Sequence, residues 1–170
     1  MPLHPFDALP DDSRLWIFGT DRGLSEDETD AFLSSVDTFL EHWAAHGTPL
    51  TAAREWIEER FILVAVDERS EPPSGCSIDA FVRCLKDQER ELGLSLVDGS
   101  RIWYRDGVEI RTVGRPAFRA LAAEGEIDAD TVVFDPVLNR VAEFRAGRFE
   151  RPAGSGWHGA LLPSPAPQVS

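Results

Sequence analysis

An α+β fold is predicted by three features of the sequence. Two segments open on helix start signals and continue as apolar stripes at three- and four-residue steps. The run "FILVAV" at 61–66 is apolar throughout, as in a strand buried on both faces. "RIWYRDG" and "VEIRTVG" alternate around Asp106-Gly107, a hairpin dipeptide. Up to residue 107 the order is strand, helix, strand, strand, helix, strand, the split β-α-β arrangement of a ferredoxin-like core with both helices on one face of an antiparallel sheet. A small strand-helix-strand-strand extension follows. This divides the chain into a flexible arm (1–13), the core (14–107), the extension (108–151) and a Gly/Pro/Ser-rich tail (152–170) whose last eight or so residues are expected to be disordered.

"RLWIFGT" at 14–20 is the first strand. In the capping box Ser25-Glu26-Asp27-Glu28, the serine and the glutamate satisfy each other's orphan backbone donors, so a helix follows at once. Phe32, Leu33, Val36, Phe39, Leu40 and Trp43 form its apolar stripe, and Gly47 supplies a left-handed stop. Residues 49–58 favour an edge strand over a short helix. After 61–66, the Pro-Pro-Ser-Gly loop leads to Ser77, expected to cap the second helix with Asp79 in its first turn, and Gly93 marks its end. Pro116 fits the first position of a third, short helix that Gly125 stops. Residues 131–137 and 141–150 read as strands.

Composition excludes more than it identifies. Seventeen basic residues against 30 acidic ones give a formal charge of -13. Affinity for nucleic acid comes largely from neutralising phosphates, so neither nucleic acid nor an anionic membrane surface is an expected partner. No apolar stretch reaches the length of a membrane span, and the first residues lack the regions of a signal peptide, so a cytoplasmic location is expected. Two cysteines eight residues apart in one strand-to-helix segment fit a reducing compartment without a structural disulfide.

Several catalytic constellations are missing from the sequence. The sole lysine, Lys86, follows Leu85 in a helix, so there is no phosphate-binding P-loop. A cysteine phosphatase would need an arginine six residues after Cys76, where Val82 stands. There is no Cys-x-x-Cys pair and no Gly-x-Ser-x-Gly elbow. No cofactor is expected. His42 and His46 have the spacing of metal ligands on a helix but no third ligand, so no metal site is expected either.

Cys76 has two open readings. At a helix N-terminus, backbone N–H groups and the helix dipole can stabilise a thiolate for nucleophilic, redox or acyl-carrying chemistry. A free cysteine can equally pack as a small apolar residue, here in a tight turn that Gly75 permits. Cys84, inside the helix, is assigned to packing. If the first and third strands run parallel, the loops entering both helices open at one end of the sheet. Asp21, Arg22, Asp67, Ser74, Ser77 and Asp79 then cluster around Cys76, with Arg22 as the cation for a thiolate or anionic ligand. His158 could return from the tail as a catalytic partner beside Asp67. The same topology places His46, a helix C-cap, about 30 Å away. Equally, the polar residues could simply cap helices and satisfy turns, and Trp157 and His158 could pin the tail.

"FLEHWAAHGTPL", "RFILVAVDE" and "SGCSID" together resemble a family of small bacterial proteins found chiefly in Bacteroidetes and their relatives. The matching positions are Trp43, His46, Gly47, Ser74 to Asp79, Asp130 to Phe134, and Trp157-His158. Members often carry the label "ABC transporter ATPase", which the missing P-loop makes physically untenable here, and the resemblance implies no established activity. Residues 102–134 also resemble GYF-like peptide-binding modules, although Gly114-Arg115-Pro116 replaces the usual Gly-Pro. That likeness implies a protein or peptide partner met by Trp103, Tyr104 and Phe134. The leading expectation is a non-catalytic binding or regulatory module. The alternative is a thiol-dependent enzyme or redox sensor built on Cys76.

Overall fold

The six residues 61–66 form the central strand of a three-stranded antiparallel sheet, and all six side chains are buried. The computed structural model describes residues 3–164. In chain order its elements are β1 (Arg14–Gly19), α1 (Glu26–Glu41), β2 (Ala44–Ala45), β3 (Thr48–Pro49), β4 (Ala52–Ile57), β5 (Phe61–Val66), α2 (Gly75–Leu92), β6 (Arg101–Asp106), β7 (Glu109–Gly114), α3 (Arg115–Ala123), β8 (Val132–Phe134), α4 (Val141–Arg145) and β9 (Glu150–Pro152). Among the described residues they form two compact units, 3–98 with 136–146 and 99–135 with 147–164.

The first unit is built on the sheet β1-β5-β4. Arg14 pairs with Val66 and Gly19 with Phe61, so β1 and β5 are antiparallel, and β4 flanks β5 as the expected edge strand. Ile62, Val64 and Val66 alternate onto the face covered by Phe32, Val36 and Leu40 of α1 and Phe81 and Leu85 of α2. Phe81 lies at the centre of the aromatic part of this core, within 6.2 Å of the rings of Trp16, Phe18, Phe39 and Trp43.

Two expectations are corrected here. The strand at 101–106 does not join this sheet. β6 pairs instead with β7 across a two-residue turn and with β8, so a complete ferredoxin-like sheet is not formed among the described residues. The first and third strands are antiparallel rather than parallel, so the loops after β1 and β5 lie at opposite ends of the sheet.

Helix starts and stops follow the sequence more closely, with some shifts. α1 ends six residues before Gly47, because His46 and Gly47, with φ of 52° and 79°, turn the β2–β3 hairpin instead of capping a helix. Residues 141–145 are α4 and not a strand, since the Glu143 carboxylate accepts the backbone N–H groups of Asn139 and Arg140 and nucleates a helical turn. Within the described part of the arm, Phe6 and Leu9 are buried, and Arg145 donates to the Leu9 carbonyl at 2.8 Å.

The second unit holds the antiparallel sheet β7-β6-β8-β9. Phe118 and Ala122 of α3 pack with Ile102, Tyr104, Val133 and Ala153. In the tail, Ala153–Ser155 and Trp157–Leu161 form 3-10 turns. The disorder expected for the last eight or so residues falls mostly outside the described residues.

Candidate functional site

Ser74, not Ser77, caps α2. The Ser74 hydroxyl accepts the Ser77 N–H at 3.1 Å and the Ser77 hydroxyl accepts the Ser74 N–H at 2.7 Å, a capping box in which serine replaces the usual acid. The helix therefore starts earlier than the Ser77 cap implies. Gly75 and Cys76 become its first two residues, and exposed Asp79 its fifth. Gly75 has no positive φ and open space where a Cβ would stand, so the turn does not require glycine. Cys76 is free and exposed, which removes the reading of a small residue filling a tight turn.

Of the polar cluster expected around that thiol, Ser74, Ser77 and Asp79 stay at the start of α2, whereas Asp21 and Arg22 leave it. Arg22 forms a two-pronged ion pair with Glu28 and donates to the Leu92 carbonyl at 2.7 Å. That contact ties Arg22 to the C-terminal end of α2, about 24 Å along the helix from Cys76. Asp21 is anchored at the same far end, accepting the Ser95 N–H at 3.0 Å. Asp67, just after β5, accepts from the Arg69 guanidinium and backbone N–H; the guanidinium bond first, with that N–H, holds its carboxyl below the usual carboxylate range.

The hairpin bearing His46 belongs to the Cys76 end. The Trp43 indole N–H donates to the Ser77 carbonyl at 2.7 Å, joining the end of α1 to the first turn of α2. The 30 Å separation argued from parallel strands falls with the parallel strands.

In the second unit, His158 is fully buried with neither ring nitrogen hydrogen-bonded. Its ring stacks on Trp157 at 3.7 Å, and the Trp157 indole N–H donates to Asp135 at 2.9 Å. Asp135, itself buried, also accepts from Arg151 at 2.7 Å. Burial pushes the His158 imidazolium down to about 4, so the ring is neutral at pH 7. Trp157 and His158 thus fasten the tail to the core of their own unit. Trp103, Tyr104 and Phe134 are also buried, at 2%, 8% and 0% exposure, and present no aromatic surface.

The feature that sequence reasoning missed lies on the outer face of α1 and α2. These helices are antiparallel: α1 runs back along the sheet from β1 and α2 from β5, which points the other way. Between and beside them run two shallow depressions of about 420 Å³ each, sharing Phe39, Cys84 and Asp87. Ser34, Ser35 and Thr38 of α1 rim one, and Arg83, Lys86 and Arg90 of α2 the other. Phe39 is half-buried, its ring held by Trp43 at 5.8 Å and Phe81 at 6.0 Å, so it is a rigid apolar anchor in the groove floor. Burial, with Asp87 in second place, raises the Cys84 thiol above its ordinary value. The available signal was Phe39 at the margin of the α1 stripe and three cations at i, i+3 and i+7 on α2.

Comparison with protein-family models, curated proteins and solved structures gave no match. No helix among the described residues is long and apolar enough to cross a membrane.

Proposed function

We propose that the chain is a non-catalytic binding or regulatory module that engages a protein or peptide on the outer face of α1 and α2. The observation that carries this is the groove with Phe39 fixed in its floor, since partner segments are anchored by apolar side chains in such grooves. A cytoplasmic setting, from the lack of an apolar span and of signal-peptide regions, no nucleic-acid or membrane partner, from the acidic composition, and no cofactor, from the missing motifs, complete the reading. Membership of the bacterial family with Trp-x-x-His-Gly and Ser-Gly-Cys-Ser-Ile-Asp motifs, and the GYF-like likeness, belong to the same proposal. The buried Trp103 and Tyr104 move the expected contact surface from that segment to the helices.

Affinity capture from the native host, with wild type, Phe39→Asp and Thr38→Lys in parallel, tests the proposal. Wild type is expected to retain a specific protein that both variants lose at unchanged helical circular dichroism. Identical captures by all three, or none by wild type, would refute it.

One observation favours the thiol reading: Cys76 is exposed in the first turn of an 18-residue helix. Of its expected helpers, Arg22 lies at the other end of α2, His158 is buried in the second unit, and Asp67, in the loop that leads to α2, is engaged by Arg69. Alkylation followed against pH on Cys84→Ser separates the two. A binding module predicts labelling no faster than that of a small free thiol under the same conditions, and fast labelling at pH 6 would favour the enzyme.

A further inference from the structure

We infer that the partner segment docking on α2 is acidic and amphipathic, held by Arg83, Lys86 and Arg90 around the Phe39 floor; this rests on the binding reading above. The three cations occupy one sector of the helix and span seven residues, about 10 Å along its axis. Their placement is notable in a chain with 30 acids against 17 bases, whose sole lysine is Lys86.

Five arginines elsewhere in the fold are tied into the structure, Arg22 to Glu28, Arg54 to Asp37, Arg140 to Glu68, Arg145 to Asp11 and Arg151 to Asp135, while Arg119 and Arg148 are exposed outside any such pair. Arg90 reaches Asp87. Arg83 and Lys86 are exposed, and no side-chain ion pair holds either of them among the described residues. On the depression they rim, three cations against the single carboxylate of Asp87 leave two positive charges. Asp79, one turn before Arg83, Glu91, on the α1 side, and Asp21 and Glu89, in the next depression that Lys86 and Arg90 also line, bound the patch.

The net charge of -13 does not cancel this patch. At physiological ionic strength the screening length is about 8 Å, so a ligand in the groove senses the local cations more than distant acids. Steering at longer range is repulsive for a polyanion, which disfavours nucleic acid, whereas a short acidic peptide needs only a few contacts. Phe39, Ala80 and Cys84 supply an apolar floor that a purely charged ligand leaves unused, and so the segment must carry apolar anchors at helical spacing as well.

The probe is a fluorescent peptide of about 16 residues with Leu at i, i+3, i+4 and i+7 and Glu between, read by anisotropy at about 50 mM salt. It is expected to bind at least about tenfold tighter than the same peptide with Lys for Glu, and to weaken as salt rises. Arg83→Glu/Lys86→Glu, both at exposed positions, should lower its affinity about tenfold or more at unchanged circular dichroism. Equal binding of the Lys peptide, indifference to the double substitution, or equal competition by a single-stranded oligonucleotide would overturn the inference. So would sedimentation showing that this face instead pairs two copies of the chain. A host partner lost with Phe39→Asp but kept by the double variant would leave the binding module standing and remove only the acidic partner. A partner indifferent to both variants would remove both.

Discussion

His158 makes the fold sensitive to acid through one ring. Its ordinary value is 6.5 and burial lowers it to about 4, so between those pH values the unfolded chain binds a proton that the folded chain refuses. Stability is therefore complete above pH 6.5, falls as pH drops towards 4, and loses up to about 3 kcal/mol over that window. His158→Phe keeps a stacking ring beside Trp157 and removes two unpaired nitrogens. It is expected to flatten the thermal midpoint between pH 6.5 and 4 and to leave it equal or higher at pH 7. A variant with the wild-type slope would mean that another group titrates. Gly156 is a residue-scale constraint of another kind. A Cβ there would meet the Arg151 guanidinium at 2.6 Å, so Gly156→Ala makes the guanidinium shift and strains its bond to Asp135. The expected loss is about 1–3 kcal/mol by chemical denaturation. An unchanged denaturation midpoint would show that the cation is free to shift.

The elements depend on local chemistry that a single substitution can interrogate. α2 begins where two serines cap each other, and it ends where Gly93, at φ 64°, adopts the left-handed conformation. Ser74→Ala leaves the Ser77 N–H without its acceptor and is expected to cost about 1 kcal/mol, read as a lower denaturant midpoint at unchanged slope. Exposed Cys76 should also label faster in that variant as the first turn frays; an unchanged rate would show that the turn is held by Trp43 through Ser77. That tryptophan contact was not legible in the sequence. The apolar stripe placed Trp43 on a helix, whereas it stands beyond the end of α1 and reaches across to α2.

At the scale of the molecule, the charge of -13 predicts a salt response: thermal midpoint should rise between about 0.05 and 0.5 M salt at pH 7 as self-repulsion is screened. A fall would mean that ion pairs such as Arg54 with Asp37 outweigh the repulsion. Much of the fold was legible before any coordinate. Strands 14–19 and 61–66, both long helices, the β6–β7 hairpin and the Gly93 stop follow from periodicity, caps and turn residues, all of which act over a few neighbours. The candidate site was not. Asp21 and Arg22 were grouped with Cys76 from a strand direction that the β1–β5 register reverses, and Trp103 and Tyr104 were read as a surface when they are core. Local sequence determined which segments are strands and helices because caps, turns and apolar period are short-range. Only the tertiary structure decided which strands pair, which way they run and which side chains remain in water. Those outcomes depend on packing between segments far apart in the chain, and they are what exposed Cys76, buried His158 and set Phe39 beside the unpaired cations of α2.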